Sequence, residues 1–148
     1  MQTQKRDSDV AMALAVELHV LAGKLKRRLR EQGNAGDLTP SQVSVIRHLE
    51  RDGPATVTRL ARAEGVRPQS LGATVSVLEA AGLIGGEADP SDGRQTILSL
   101  TPACRKILKA GRAAREDWLL RTIRSKFTPA EQLELAKGVE LLKRLVET

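Results

Sequence analysis

Apolar residues recur every three or four positions through most of this chain, which is the period of an α-helix. From about Ser8 to Gln32, Leu14, Leu18, Leu21, Leu25 and Leu29 follow at spacings of 4, 3, 4 and 4. They predict one leucine stripe on a helix about 35 Å long. The stretch Gly33-Asn34-Ala35-Gly36 predicts a loop, and Pro40 to Arg51 a second helix with Val43, Ile46 and Leu49 on one face. Two shorter helices follow, Thr56 to Glu64 ended by Gly65, and Pro68 to about Ala81 stopped by Gly82. In the second, Leu71, Val75 and Leu78 fall at i, i+4 and i+7 and face the core.

The period then changes. Ile84 and the alternation Thr96, Leu98, Leu100 predict a two-stranded ribbon between Leu83 and Leu100, buried on one face,. Its turn is the dense run Asp89-Pro90-Ser91-Asp92-Gly93-Arg94,. Two long helices close the chain, about Pro102 to Lys126 and Pro129 to Glu147. Their apolar positions include Ile107, Leu108, Leu119, Leu120 and Ile123, then Leu135, Val139, Leu142 and Val146.

Thr-Pro pairs mark three of the helix starts. Thr39-Pro40-Ser41-Gln42 and Thr128-Pro129-Ala130-Glu131 have a hydroxyl cap, a proline at the first helical position and an amide or acid at the third,. Thr101-Pro102-Ala103-Cys104 has the cap and the proline only.

The order helix, turn, helix, charged hairpin between Gly53 and Pro102 is the plan of a winged helix-turn-helix, a device that reads DNA,. Ala61 is small enough for the two helices to approach, and Gly65 accepts the positive φ of the corner. The second helix would then turn Gln69, Ser70, Ala73, Thr74 and Val77 to solvent or to a groove. Gln and Ser can hydrogen-bond base edges or phosphates, and a Thr methyl can meet a thymine methyl. Arg67 before that helix and Arg94 leaving the hairpin turn are candidates for phosphate or minor-groove contacts. Asp92 is placed to brace Arg94 or to cap the turn.

The fold class expected is mainly α, a winged helix-turn-helix with a two-stranded β wing, in one domain spanning 1–148. Residues 37–101 form the DNA-binding lobe, and 8–36 and 102–148 the flanking helices. Those long helices cannot hide all their leucines against a lobe of that size. A second copy of the chain would cover them, giving a homodimer; an antiparallel bundle within one chain is the alternative.

Three stretches carry a resemblance to a known family. Leu78-Glu79-Ala80-Ala81-Gly82-Leu83-Ile84, Asp89-Pro90-Ser91-Asp92-Gly93-Arg94 and Leu100-Thr101-Pro102-Ala103 resemble the MarR (multiple antibiotic resistance regulator) family. The resemblance covers nearly the whole chain, and the flanking helices match the family's dimerisation helices. It implies a homodimeric transcriptional regulator, usually a repressor, on double-stranded DNA with a pseudopalindromic operator. The recognition helices would enter major grooves about 34–36 Å apart. It also implies, for many members, a small-molecule effector bound between the dimerisation helices and the DNA-binding lobe. Two departures stand out. Many relatives have Thr-Arg in the recognition helix where this chain has Gly72-Ala73, and a basic cluster before the wing tip where it reads Gly85-Gly86-Glu87-Ala88.

Charge bears on the grip. The chain carries 24 Lys and Arg against 18 Asp and Glu, a net +6. Residues 37–103 hold only 6 basic and 8 acidic side chains, so the surplus lies on the flanks. Phosphate neutralisation supplies much of protein–DNA affinity. A lobe poor in cations predicts a shallow salt dependence unless Lys24, Lys26, Arg27, Arg28 and Arg30, or Arg105, Lys106, Lys109 and Arg112, help. A second reading, a protein-interaction module with weak or no specific DNA binding, stays open on that ground.

One cysteine excludes an internal disulfide framework and a Cys-rich zinc site,. Cys104, in the first turn of its helix beside Arg105 and Lys106, makes redox sensing a third reading. His19 and His48 are too few for a His-rich metal site, and both are read as structural, with His19 also placed to contact an effector,. Trp118 and Phe127 are read as core. No nucleophile with its base, carboxylate pair, phosphate loop or metal cluster is recognisable, so no enzyme, cofactor or metal is expected. No secretory signal or membrane span is expected, and the cytoplasm, in association with the nucleoid, is the compartment.

Overall fold

The computed structural model describes residues 2–33 and 38–148. Six helices and three strands follow in the order α1 (Gln2–Gln32), α2 (Pro40–Asp52), β1 (Ala55–Thr56), α3 (Val57–Glu64), α4 (Pro68–Ala80), β2 (Ile84–Ala88), β3 (Thr96–Leu100), α5 (Pro102–Lys126) and α6 (Pro129–Val146). The first helix begins six residues before the expected Ser8. Beyond Gly33, the expected Gly33–Gly36 loop lies outside the described residues.

The chain divides into two compact units, residues 34–111 and residues 1–33 with 112–148, the division falling within α5. The core lies in the first. Leu49, Leu60, Leu78, Leu98, Val45 and Cys104 are fully enclosed there, joined by Ile46, Ala55, Ala61, Leu71, Val75, Ile84 and Leu100. On α2 the buried face is Val45, Ile46 and Leu49, and Val43 is only half-buried. Val43, Ile46 and Leu49 share a helical face by spacing; the neighbours α3, α4 and β3 approach α2 one residue to the side.

The expected two-stranded wing is part of a larger sheet. β2 and β3 pair antiparallel with Ile84 opposite Leu100 and Ala88 opposite Thr96. β1 adds to the other edge of β3, Ala55 opposite Leu98 and Thr56 opposite Ile97, so the order is β1-β3-β2. Thr56 thus ends a strand and caps α3, its side chain accepting the Arg59 N–H at 3.2 Å. Two residues are too short for periodicity to reveal a strand; pairing with β3 defines this one.

The caps read from the Thr-Pro pairs form. Thr39 with Gln42 and Thr128 with Glu131 make complete capping boxes. Thr101 also caps, its Oγ1 accepting the Cys104 N–H at 3.1 Å. Gly65 ends α3 in the left-handed region at φ 66° and ψ 30°. Its neighbour Val66 donates back to the Ala61 carbonyl at 3.0 Å, satisfying a helix-end acceptor,.

The second unit is different in kind. Among its described residues only Gly33 is buried. Leu18, Leu29, Trp118, Leu119, Ile123 and Phe127 are half-buried, whereas Leu14, Leu21 and Leu25 of α1 and Leu133, Leu135, Val139, Leu141, Leu142, Leu145 and Val146 of α6 are exposed. Trp118 and Phe127, expected in the core, are only half-buried and are not part of the core cluster.

Candidate nucleic-acid interface

α4 has a sharply divided circumference. Leu71, Val75 and Leu78 are buried, and Gln69, Ala73, Ser76 and Val77 are exposed on the opposite arc, about 100° wide at 3.6 residues per turn,. Val77 is 53% exposed. Ser76, absent from the sequence reading, donates its hydroxyl to the Gly72 carbonyl at 2.9 Å, so its donor is committed within the helix,.

The residues expected at the interface occupy different edges of this face. Arg67 is the N-cap of α4, with extended backbone, and its exposed side chain makes no capping bond. Gln69 and Ser70 are exposed in the first turn. Thr74 is half-buried and, with Ser70 and Leu71, lines a shallow cavity of about 340 Å³ shared with α2 and Glu64. Among the described residues, no hydrogen bond or ion pair joins Arg67, Gln69, Ser70, Thr74 and Arg94 to one another. They form a row of separate donors and acceptors along α4, with Arg94 at the wing.

The wing tip is held by its own carboxylates. Asp89 Oδ1 accepts the Ser91 N–H at 2.9 Å and the Ser91 hydroxyl at 2.7 Å, which lowers the Asp89 pKa,. Asp92 Oδ1 accepts the Arg94 N–H at 3.1 Å, and its carbonyl accepts the Gln95 N–H at 3.0 Å. Asp92 therefore caps the turn through the Arg94 backbone. It leaves the Arg94 side chain exposed.

Gly86 has a steric reason to lack the basic side chain common before such a tip. A Cβ there would lie 2.7 Å from Thr96 Cγ2 across the ribbon, inside any real carbon contact. Gly72 differs: a Cβ at that position would meet nothing within 4 Å, so the missing bulk on α4 is not imposed by packing.

A polar network the sequence reading missed ties α2 to the end of α3. Ser44 Oγ donates to Glu64 Oε2 at 2.6 Å, and His48 stands between Glu64 (3.9 Å) and Asp52 (3.4 Å). Arg51 also pairs with Asp52 at 3.1 Å, and this hydrogen bond is the main cause of the lowered Asp52 pKa. Ser44, His48 and Asp52 share a face at intervals of four, a legible signal, but nothing local points to Glu64. The network holds the residue before the Gly65 turn. His48 is structural here, and His19 is exposed on α1.

Cys104 departs from the redox expectation. It is 1% exposed, and burial, followed by the charge of Glu50, raises its pKa against the weaker pull of Arg105. The thiolate that would attack peroxide is disfavoured.

The compact unit also alters the charge balance. It takes in Arg105, Lys106 and Lys109 at the start of α5, so residues 34–111 hold nine basic and eight acidic side chains, a net +1. Among the described residues no group of three His, Cys, Asp or Glu could hold a metal ion. No described helix is long and apolar enough to cross a membrane.

A sequence profile of the MarR family matches residues 36–95, which include α2 to α4 and β2. An HTH-type transcriptional regulator of Mycobacterium leprae, itself uncharacterized, is 30% identical over 95% of this chain and 96% of its own length. The chain belongs to the MarR family. A Pseudomonas aeruginosa protein proposed to be a transcriptional regulator is 35% identical, with a TM-score of 0.78 over 93% of this chain and 96% of that one. A mutant of Staphylococcus aureus MepR, solved bound to an oligodeoxyribonucleotide, shares the fold at a TM-score of 0.69 and 18% identity, over 90% of this chain and 97% of that one. In this MarR-family regulator, then, α3 and α4 are the helix-turn-helix and β2–β3 the wing.

Proposed function

We propose that this MarR-family regulator is a homodimeric, sequence-specific DNA-binding repressor. It lays α4 of each copy in successive major grooves of a pseudopalindromic operator. The observation that carries the reading is the exposed face of α4, with Gln69 and Ser70 free at its N-terminal turn behind Arg67, next in the chain to a wing that frees Arg94. Gln69, Ser70 and Thr74 contact the groove, and Arg67 and Arg94 the backbone or minor groove. The exposed leucines and valines of α1 and α6 support the dimer, because a lone soluble chain seldom leaves so many large apolar side chains in water,. Repression follows from occupying the operator, in the cytoplasm and at the nucleoid, and a small-molecule effector releases it.

Fluorescence anisotropy with DNA from upstream of the protein's own gene tests this directly. Sub-micromolar, sequence-dependent binding by a dimer is the expected result. The interaction-module reading is favoured by one observation, the absence of any basic residue from α4 in a lobe of net charge +1. Binding no tighter than to random DNA at every salt concentration would select it instead.

A further inference from the structure

We infer that α4 reads thymine methyl groups through Ala73 and Val77, so that the base pairs beneath it are A·T rather than G·C. The inference rests on the DNA-binding reading above and deepens it.

The outward arc of α4 contains no Arg, Lys or Asn. It therefore lacks the forked donors that recognise guanine O6 and N7. Its one long polar side chain is Gln69, whose amide suits the N6 and N7 edge of adenine. The Ser76 hydroxyl is already donated to the Gly72 carbonyl. What remains of the face is apolar: Ala73, exposed, and Val77, 53% exposed one turn further on.

Single exposed apolar residues are common on protein surfaces. Among the described residues of the lobe, only Val66, Val77 and Ile107 are exposed large hydrophobics, and of these Val77 alone lies on α4. In the major groove, the thymine C5 methyl is the one apolar group that a base pair presents. Val77 against that methyl removes two apolar surfaces from water. Val77 against cytosine N4 or guanine O6 would strip water from a polar atom and return no hydrogen bond.

The test begins with selection of a binding site from a random duplex pool by the full-length protein. Each thymine of that site is then replaced singly by deoxyuridine, which removes only the methyl, and affinity is measured by anisotropy at one fixed salt concentration. At one or two positions per half-site, wild-type binding should weaken roughly fourfold, the size expected for one buried methyl. At one of these positions the Val77→Ala protein should bind thymine and deoxyuridine sites within about twofold of each other. A selected site at which no exchange weakens wild-type binding, or losses that persist undiminished at every position in Val77→Ala, overturn the methyl readout while DNA binding stands. A protein that enriches no site overturns the DNA-binding reading and this inference with it.

Discussion

Thr101 Oγ1 donates to the Gly82 carbonyl at 2.6 Å, joining the residue that leaves the wing to the turn that follows α4. The same oxygen accepts the Cys104 N–H at 3.1 Å, and the Thr101 N–H donates to the Leu83 carbonyl at 3.1 Å. One hydroxyl thus caps α5 and secures the turn after α4. Thr101→Val keeps the shape and removes both hydroxyl bonds. It should destabilise the protein by about 1–3 kcal/mol, with Thr101→Ser recovering most of the loss. Urea unfolding of the two variants measures the difference.

The corner between α3 and α4 depends on Gly65 at φ 66°. An L-residue with a Cβ is strained there, so Gly65→Ala should cost about 1–2 kcal/mol, and Gly65→Asn less. Space is not the cause, because a Cβ at Gly65 would meet nothing within 4 Å. Thermal unfolding should rank the three proteins as Gly, Asn, Ala.

Arg94 has its backbone fixed by Asp92 and its side chain in solvent. Arg94→Ala should weaken operator binding and reduce the slope of log K against log salt by about 1, the value for one phosphate contact. An anisotropy series across salt concentrations reads both, and an unchanged slope would remove the wing from the interface.

The Cys104 pKa is raised by burial, so folding favours the neutral thiol. The sign follows directly. Between the ordinary thiol pKa of 9.0 and the higher folded value, the unfolded chain releases a proton that the folded chain keeps,. The stabilisation is present in full below pH 9.0 and falls as pH rises above it. Unfolding midpoints measured from about pH 7 to about pH 10, either side of a free thiol's pKa, should drop less steeply in Cys104→Ala. Peroxide should leave DNA affinity unchanged in the native protein.

The apolar face of α6 includes Leu141 at 61% and Leu145 at 70% exposure. A charge at Leu145 costs little in a monomer and much in a dry interface. Leu145→Asp should therefore lower the oligomeric state while leaving helical circular dichroism intact, as sedimentation velocity would show.

Much of this was legible in the chain because its signals are local. Helical periods and Thr-Pro caps located the helices, a change of period located the wing, and Gly65 marked the corner. Less legible were features made by residues distant in sequence. Val45 replaced Val43 in the core because three neighbours meet α2 off its predicted axis. Ala55-Thr56 became a strand only against β3. Cys104 was read from its helix position and adjacent cations, whereas enclosure by the core outweighed both. Glu64 gained Ser44 and His48 only when α2 came to rest beside the end of α3.

By itself, then, the sequence determined which segments are helix, ribbon or turn and in what order, because hydrogen bonding and capping act within a few residues. Only the tertiary structure decided which polar and reactive groups are free to act. It buried the thiol and set Glu64 against Ser44 and His48. Burial and hydrogen-bond partners are set by contacts between distant segments, and no local pattern records them.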